Sequence, residues 1–168
     1  ANEEEVRSAF VDSSSSRFDK LQCSEPIGAG SLLAGECHFT GALKIPLKPT
    51  AAVRLFMLYG LADHAISLNA WWRAAPAWLE VRPLELPGHG QRSEEELKTS
   101  ATELVSQLAD EIEPLLQTGA PYALYGFSSG ALLAFLLSHE LNRRGWRAPI
   151  RLFVSGRGRP DESGGFDP

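Results

Sequence analysis

The sequence predicts an α/β fold, a mostly parallel sheet with helices on both faces. Two observations carry this. From Val53 onward, short apolar runs bounded by turn residues alternate with stretches of helical periodicity. One such run leads directly into Gly126-Phe127-Ser128-Ser129-Gly130, and a helical pattern begins immediately behind it. Strands that alternate with helices are joined by crossovers, which favour parallel pairing with both sheet faces covered.

Residues 1–36 combine a serine run at 13–16 with a Gly/Ala/Ser-rich stretch at 28–35 and show little periodicity, which predicts a poorly ordered leader or linker. Residues 37–168 are assigned to the domain itself. Within it, residues 53–58 read as a strand that stops at Tyr59-Gly60. Ser67 is placed to cap a helix carrying Leu68, Trp71, Trp72, Ala75 and Leu79, with Pro76 kinking it or ending it early. Residues 81–86 are the next predicted strand, closed by Pro87-Gly88. Ser100-Ala101-Thr102-Glu103 is a capping box, and Leu104, Leu108, Ile112 and Leu115 follow it on one helix face. A strand over 122–125, a helix over 129–144 and a strand over 150–154 complete the pattern.

Composition narrows the class of protein. A chain of 168 residues, 43% hydrophobic and 22% charged, fits one globular domain with a sizeable core, or a large piece of one. The net charge of -5 argues against a nucleic-acid binder, whose footprint is basic. Cys23 and Cys37 form no CxxC pair and have no histidine at ligand spacing, so neither a metal nor a redox cofactor is expected. No apolar run reaches the length of a membrane span; the longest, 131–137, suits a buried helix. The acidic start at Glu3, Glu4 and Glu5 is unlike a signal or transit peptide, and a soluble, cytoplasmic protein is expected.

The chemistry centres on Ser128. A strand followed at once by Gly-x-Ser-x-Gly and then a helix places the serine on a tight turn that lifts its hydroxyl above the sheet. Gly126 and Gly130 let the neighbouring backbone approach, and Ala131 and Ala134 keep the next helix thin against the sheet. The helix start directs free N–H groups and its positive dipole end toward the serine, a setting that stabilises an oxyanion. The bland reading of the same pattern is a Ser/Gly-rich turn.

Three separated segments carry a family likeness: Leu84-Glu85-Leu86-Pro87-Gly88-His89-Gly90-Gln91-Arg92, then Pro121 to Leu132 around the serine, and Leu152-Phe153-Val154-Ser155-Gly156-Arg157. In order and spacing they resemble the "LPGRGDR", "PYALFGHSMGAL" and "LFVSGR" segments of type II thioesterases, the discrete proofreading partners of polyketide and non-ribosomal peptide synthases. The likeness runs from about Arg54 to Pro160 and implies an α/β-hydrolase fold, here incomplete at its C-terminus. It implies Ser128 as nucleophile, the backbone N–H of Ser129 as one oxyanion donor, and that of about Leu61 as the other. It departs at the loop: the family's "FPHAGG" is Leu58-Tyr59-Gly60-Leu61-Ala62-Asp63 here, so Asp63 replaces a glycine close to developing negative charge. Phe127 and Ser129 also replace the family's His and Met.

A serine hydroxyl needs a histidine base oriented by a carboxylate, in the chain order Ser, Asp or Glu, His. The only later histidine, His139, lies ~16 Å along the following helix and is read as a surface residue. By the resemblance the family's acid and base lie beyond Arg157, and the sequence is expected to be truncated before them. His64 and His89 follow strands at the ligand-binding edge; they read first as loop residues and second as substitute bases. Asp161, Glu162 and Asp167 sit in a Gly/Pro-rich tail and are not assigned as the acid.

Arg143, Arg144, Arg147, Arg151, Arg157 and Arg159 form a basic cluster that could attract an acidic carrier protein or a phosphopantetheine phosphate, although a solvated helix end and loop is the favoured reading. Trp71, Trp72 and Trp78 are expected to pack in the core rather than line a substrate box. The resemblance implies hydrolysis of acyl thioesters, held on phosphopantetheine or coenzyme A, with acyl or peptidyl carrier proteins as partners. The alternative is a degenerate, non-catalytic hydrolase module that binds an acyl chain or a carrier protein.

Overall fold

The computed structural model describes residues 50–158, Lys48, and the short strands β1 (Phe39–Thr40) and β2 (Leu43–Lys44), which pair antiparallel. The expected leader, residues 1–36, lies outside the described residues, as do Arg159 and the acidic tail beyond it.

Four parallel strands make the main sheet: β3 (Val53–Leu58), β4 (Leu79–Pro83), β5 (Tyr122–Phe127) and β6 (Arg151–Ser155), in the spatial order β4-β3-β5-β6. The helices between them are α1 (Asn69–Ala74), α2 (Ala101–Leu116) and α3 (Ser129–Arg143). β3 therefore lies between the strand that follows it and the strand after that. The connection from β3 leads to one side and that from β5 to the other, which opens a crevice between their carboxyl ends, the usual ligand position in such sheets.

Apolar alternation builds the core. Phe56, Met57, Leu58, Leu108, Ile112, Leu124, Leu137 and Leu141 are fully buried, so β3, β5, α2 and α3 share one interior. α1 meets one sheet face through Trp71, whose ring centroid is 5.7 Å from that of Tyr125. The end of α2 meets the opposite face, where the Arg54 guanidinium donates to the Leu115 carbonyl at 2.6 Å. Ser100 caps α2 as expected, accepting from the Glu103 N–H at 3.3 Å.

The largest differences from expectation lie on either side of Pro76. The helix expected from Ser67 to Leu79 is a 3₁₀ turn over Ala65–Leu68 and a short α1; Ser67 lies within the turn, its hydroxyl donating to the His64 carbonyl at 2.8 Å. Pro76 ends the helical path, and Leu79, released from it, opens β4 opposite Val53. The strand expected over 81–86 accordingly begins and ends earlier. Beyond Pro83 one further bond runs from the Leu84 N–H to the Met57 carbonyl at 2.9 Å, and Leu84 to Leu86 stay buried outside the ladder. A buried apolar run looks like a strand in sequence whether or not its backbone pairs.

A charged trio lies within this sheet. Glu80 accepts from Arg54 at 2.6 Å and from Arg82 at 2.5 Å, with all three side chains buried. Burial alone would raise the Glu80 carboxyl, but the two guanidinium groups outweigh it and hold it below the usual carboxylate range.

Candidate active site

β5 ends at Phe127, and the chain turns into α3 through Ser128, whose φ of 53° and ψ of -117° lie where side-chain-bearing residues are rarely found. The surrounding contacts enforce this. A Cβ on Gly126 would collide with the Gly130 carbonyl, and one on Gly130 with the carbonyls of Leu58 and Tyr59. Strand β5, helix α3 and the end of β3 thus approach with no room for side chains. The Ser128 N–H donates to the Ser155 carbonyl at 2.8 Å, which ties the turn to the end of β6. The Ser128 hydroxyl is not used to cap α3, and the residue is half-buried at the helix N-terminus.

The second wall is the loop after β3. Gly60 packs against the serine: a Cβ there would lie 3.3 Å from the Ser128 Cβ and 3.1 Å from the Phe127 ring. Leu61, the next residue, is 82% exposed, and Ala62 turns the loop with a φ of 62°. The loop that carries Leu61 therefore meets the turn that carries Ser128 and Ser129. Asp63 is engaged with its own neighbour, its Oδ1 accepting from the His64 N–H at 2.8 Å and lying 3.5 Å from the His64 Nδ1.

Buried polar groups that sequence reasoning missed lie beneath this loop. The Tyr59 hydroxyl donates to Glu85 Oε1 at 2.8 Å and accepts from the Leu86 N–H at 3.0 Å; burial, with the carboxylate beside it, pushes the phenol well above its ordinary range. Arg92 donates to the Glu85 carbonyl and to Glu111, both at 2.8 Å, and binds Glu95 through two bonds, fastening the segment after β4 to α2. Burial raises the Glu111 carboxyl against the pull of Arg92. The Pro-Gly and Arg of the 84–92 segment were the visible signal, but Tyr59 and Glu111, which this segment meets, are distant in sequence.

The described histidines stand apart in role. His139 is exposed on α3, its ring edge-on to Phe135 at 4.5 Å. His64 is exposed before the 3₁₀ turn, and His89 directs Nδ1 to the Pro87 carbonyl at 3.0 Å. The hydrogen bonds described for them do not include Ser128.

The basic cluster is largely engaged within the molecule. Arg144 binds Asp110 at 2.5 Å, Glu140 at 2.7 Å and Ser106 at 2.9 Å; Arg143 binds Glu140 at 2.7 Å; Arg147 reaches the Gly119 carbonyl at 2.5 Å. Trp72 packs on the core as expected, but Trp71 and Trp78 remain 42% and 56% exposed. Among the described residues, no helix is long and apolar enough to cross a membrane.

A serine held at positive φ between a parallel strand and a helix, at the crevice where the connections diverge, is the strand-turn-helix arrangement of an α/β-hydrolase fold. The comparisons agree in family. The thioesterase domain profile matches residues 54–165, and the chain belongs to that family, as the type II thioesterase motifs imply. The gramicidin S biosynthesis protein GrsT of Aneurinibacillus migulanus is 34% identical over 110 residues, 66% of this chain and 42% of that protein. Among solved structures, RedJ, a thioesterase from the prodiginine pathway of Streptomyces coelicolor, superposes with a TM-score of 0.65 at 32% identity, covering 71% of this chain and 45% of RedJ. YbtT, a type II thioesterase from the yersiniabactin pathway, gives 0.57 at 26% identity, covering 66% of this chain and 45% of YbtT. The chain spans less than half the length of these relatives.

Proposed function

We propose that the protein to which this chain belongs hydrolyses acyl thioesters, releasing acyl groups from the phosphopantetheine arms of carrier proteins in polyketide, non-ribosomal peptide or fatty acid biosynthesis, in the cytoplasm. The strained conformation of Ser128 at the end of β5 carries this reading. Backbone strain of this kind persists only where surrounding structure enforces it, and it aims the hydroxyl out of the sheet.

Ser128 Oγ attacks the thioester carbonyl carbon. The oxygen becomes an oxyanion received by the backbone N–H groups of Ser129 and Leu61. Collapse of that intermediate breaks the carbon–sulfur bond, the pantetheine thiol leaves with a proton, and an acyl-serine remains. Water then adds to the ester, releasing the free acid and restoring the hydroxyl. The histidine that moves these protons, and the carboxylate that orients it, are assigned to parts of the protein outside the described residues. RedJ and YbtT, named for prodiginine and yersiniabactin pathways, support a carrier-bound substrate.

One observation favours a second reading. Asp63 places a carboxylate in the loop that carries Leu61, where charge of that sign opposes an oxyanion. A non-catalytic module that binds acyl chains or carrier proteins would tolerate it. Labelling with a serine-reactive fluorophosphonate separates the two. Stoichiometric modification of the full-length protein, lost in Ser128→Ala, is expected; a folded protein that takes up no label is a binding module.

A further inference from the structure

Glu85 is fully buried, yet it has no place in the chemistry proposed for Ser128. Its Oε1 accepts two hydrogen bonds, from the Tyr59 hydroxyl at 2.8 Å and from the Ala65 N–H at 3.0 Å. Those donors bracket the loop after β3. Both ends of the loop thus converge on one oxygen atom, carried by the segment after β4. Between them lie Gly60, whose backbone rests against Ser128, then Leu61, and then Ala62 at positive φ.

A loop that turns through a left-handed alanine is strained, and it keeps that shape only if its ends are held. The carboxyl is closely surrounded: Glu85 Oε2 lies where a Cβ on Gly90 would collide, and it is buried with no hydrogen-bond partner among the described residues. A buried carboxylate oxygen left unpaired is unusual in a folded protein and calls for a reason. The two bonds at Oε1 supply one, because carboxylate acceptors form the stronger class of hydrogen bond.

We propose that Glu85, with Tyr59 as its relay, is the positioning residue of the oxyanion loop, holding the Leu61 N–H in place before substrate arrives. This rests on the reading of Ser128 as a thioesterase nucleophile. Transition-state stabilisation by a backbone donor depends on its being fixed in advance, so release of the loop lowers kcat and leaves substrate binding nearly unchanged.

The test uses the full-length protein with Glu85→Leu, Tyr59→Phe and Glu85→Gln, the last retaining an acceptor at Oε1. Hydrolysis of an acyl-pantetheine thioester is measured per active site, the sites being counted by exhaustive fluorophosphonate labelling. The expected result is a loss of kcat on the order of ten- to a hundred-fold in Glu85→Leu, a smaller loss in Tyr59→Phe, KM within about twofold, and recovery in Glu85→Gln. A purely structural Glu85 would lower the number of active sites and leave kcat per site intact, which overturns the inference alone. A folded wild-type protein that takes no label overturns the serine reading and this inference with it.

Discussion

Ser128 and Ala62 are the described non-glycine residues with positive φ, and they stand on the two sides of one crevice. Strain of this type costs about 1–3 kcal/mol, and at Ser128 it is the condition for an aimed hydroxyl. Glycine accepts that conformation, at an entropic cost of about 0.5–1 kcal/mol relative to alanine. Ser128→Gly is therefore expected to be more stable than Ser128→Ala by about 1 kcal/mol, read from the urea midpoint at constant m, with both variants inert to fluorophosphonate. The strained turn at Ser128 was legible in sequence because Gly-x-Ser-x-Gly records which backbone positions have no room for a side chain. The anchor at Glu85 was not, since a glutamate in a loop-like segment reads as solvated until Tyr59 and Ala65 are seen to meet it. The roles given to Leu61 and Ser129 rested on resemblance alone.

At the scale of elements, α2 and α3 are joined by Arg144, which binds Asp110 and Ser106 on α2 and Glu140 on α3. Hydrogen bonds from Arg143 and Arg144 hold the Glu140 carboxyl at about 2, below its ordinary value of 4.5. A carboxyl lowered on folding contributes stability above its unfolded pKa and loses it as pH falls toward the folded one. Resistance to urea is therefore expected to decline between about pH 4.5 and pH 2. In Glu140→Gln that part of the decline should be absent; an unchanged slope would show the ion pairs to be screened at the surface. α2 was legible almost to the residue, because a capping box and a regular apolar face agree. α1 was not: the apolar spacing ran on past Pro76, and only the sheet decides that Leu79 belongs to β4. The end of β5 was likewise placed early, because Gly126 and Phe127 look like a turn while they still pair with Val154 and Ser155.

For the whole molecule, alternation of strands and helices announced a parallel sheet, but not its order. Nothing in the alternation says that β4 and β5 settle on opposite sides of β3, which is what creates the crevice. β6 lies at the sheet edge with Phe153 and Val154 more than half exposed, yet its apolar run marked it as a strand, one residue out of place at each end. The Arg54–Glu80–Arg82 trio was invisible for another reason, since charged residues in an apolar run usually face water. Breaking a buried ion pair by removing one partner costs about 3–5 kcal/mol, so Glu80→Leu should be strongly destabilised in urea although it adds apolar surface. Arg54 and Glu80 are direct register partners of β3 and β4. A slip of one residue would turn Glu80 to the opposite face and leave two cations stranded in a dry interior. The trio thus acts as a checksum on strand pairing: an apolar sheet alone would forgive a misaligned β4, whereas this one rejects it before the loops around Ser128 can assemble on the wrong frame.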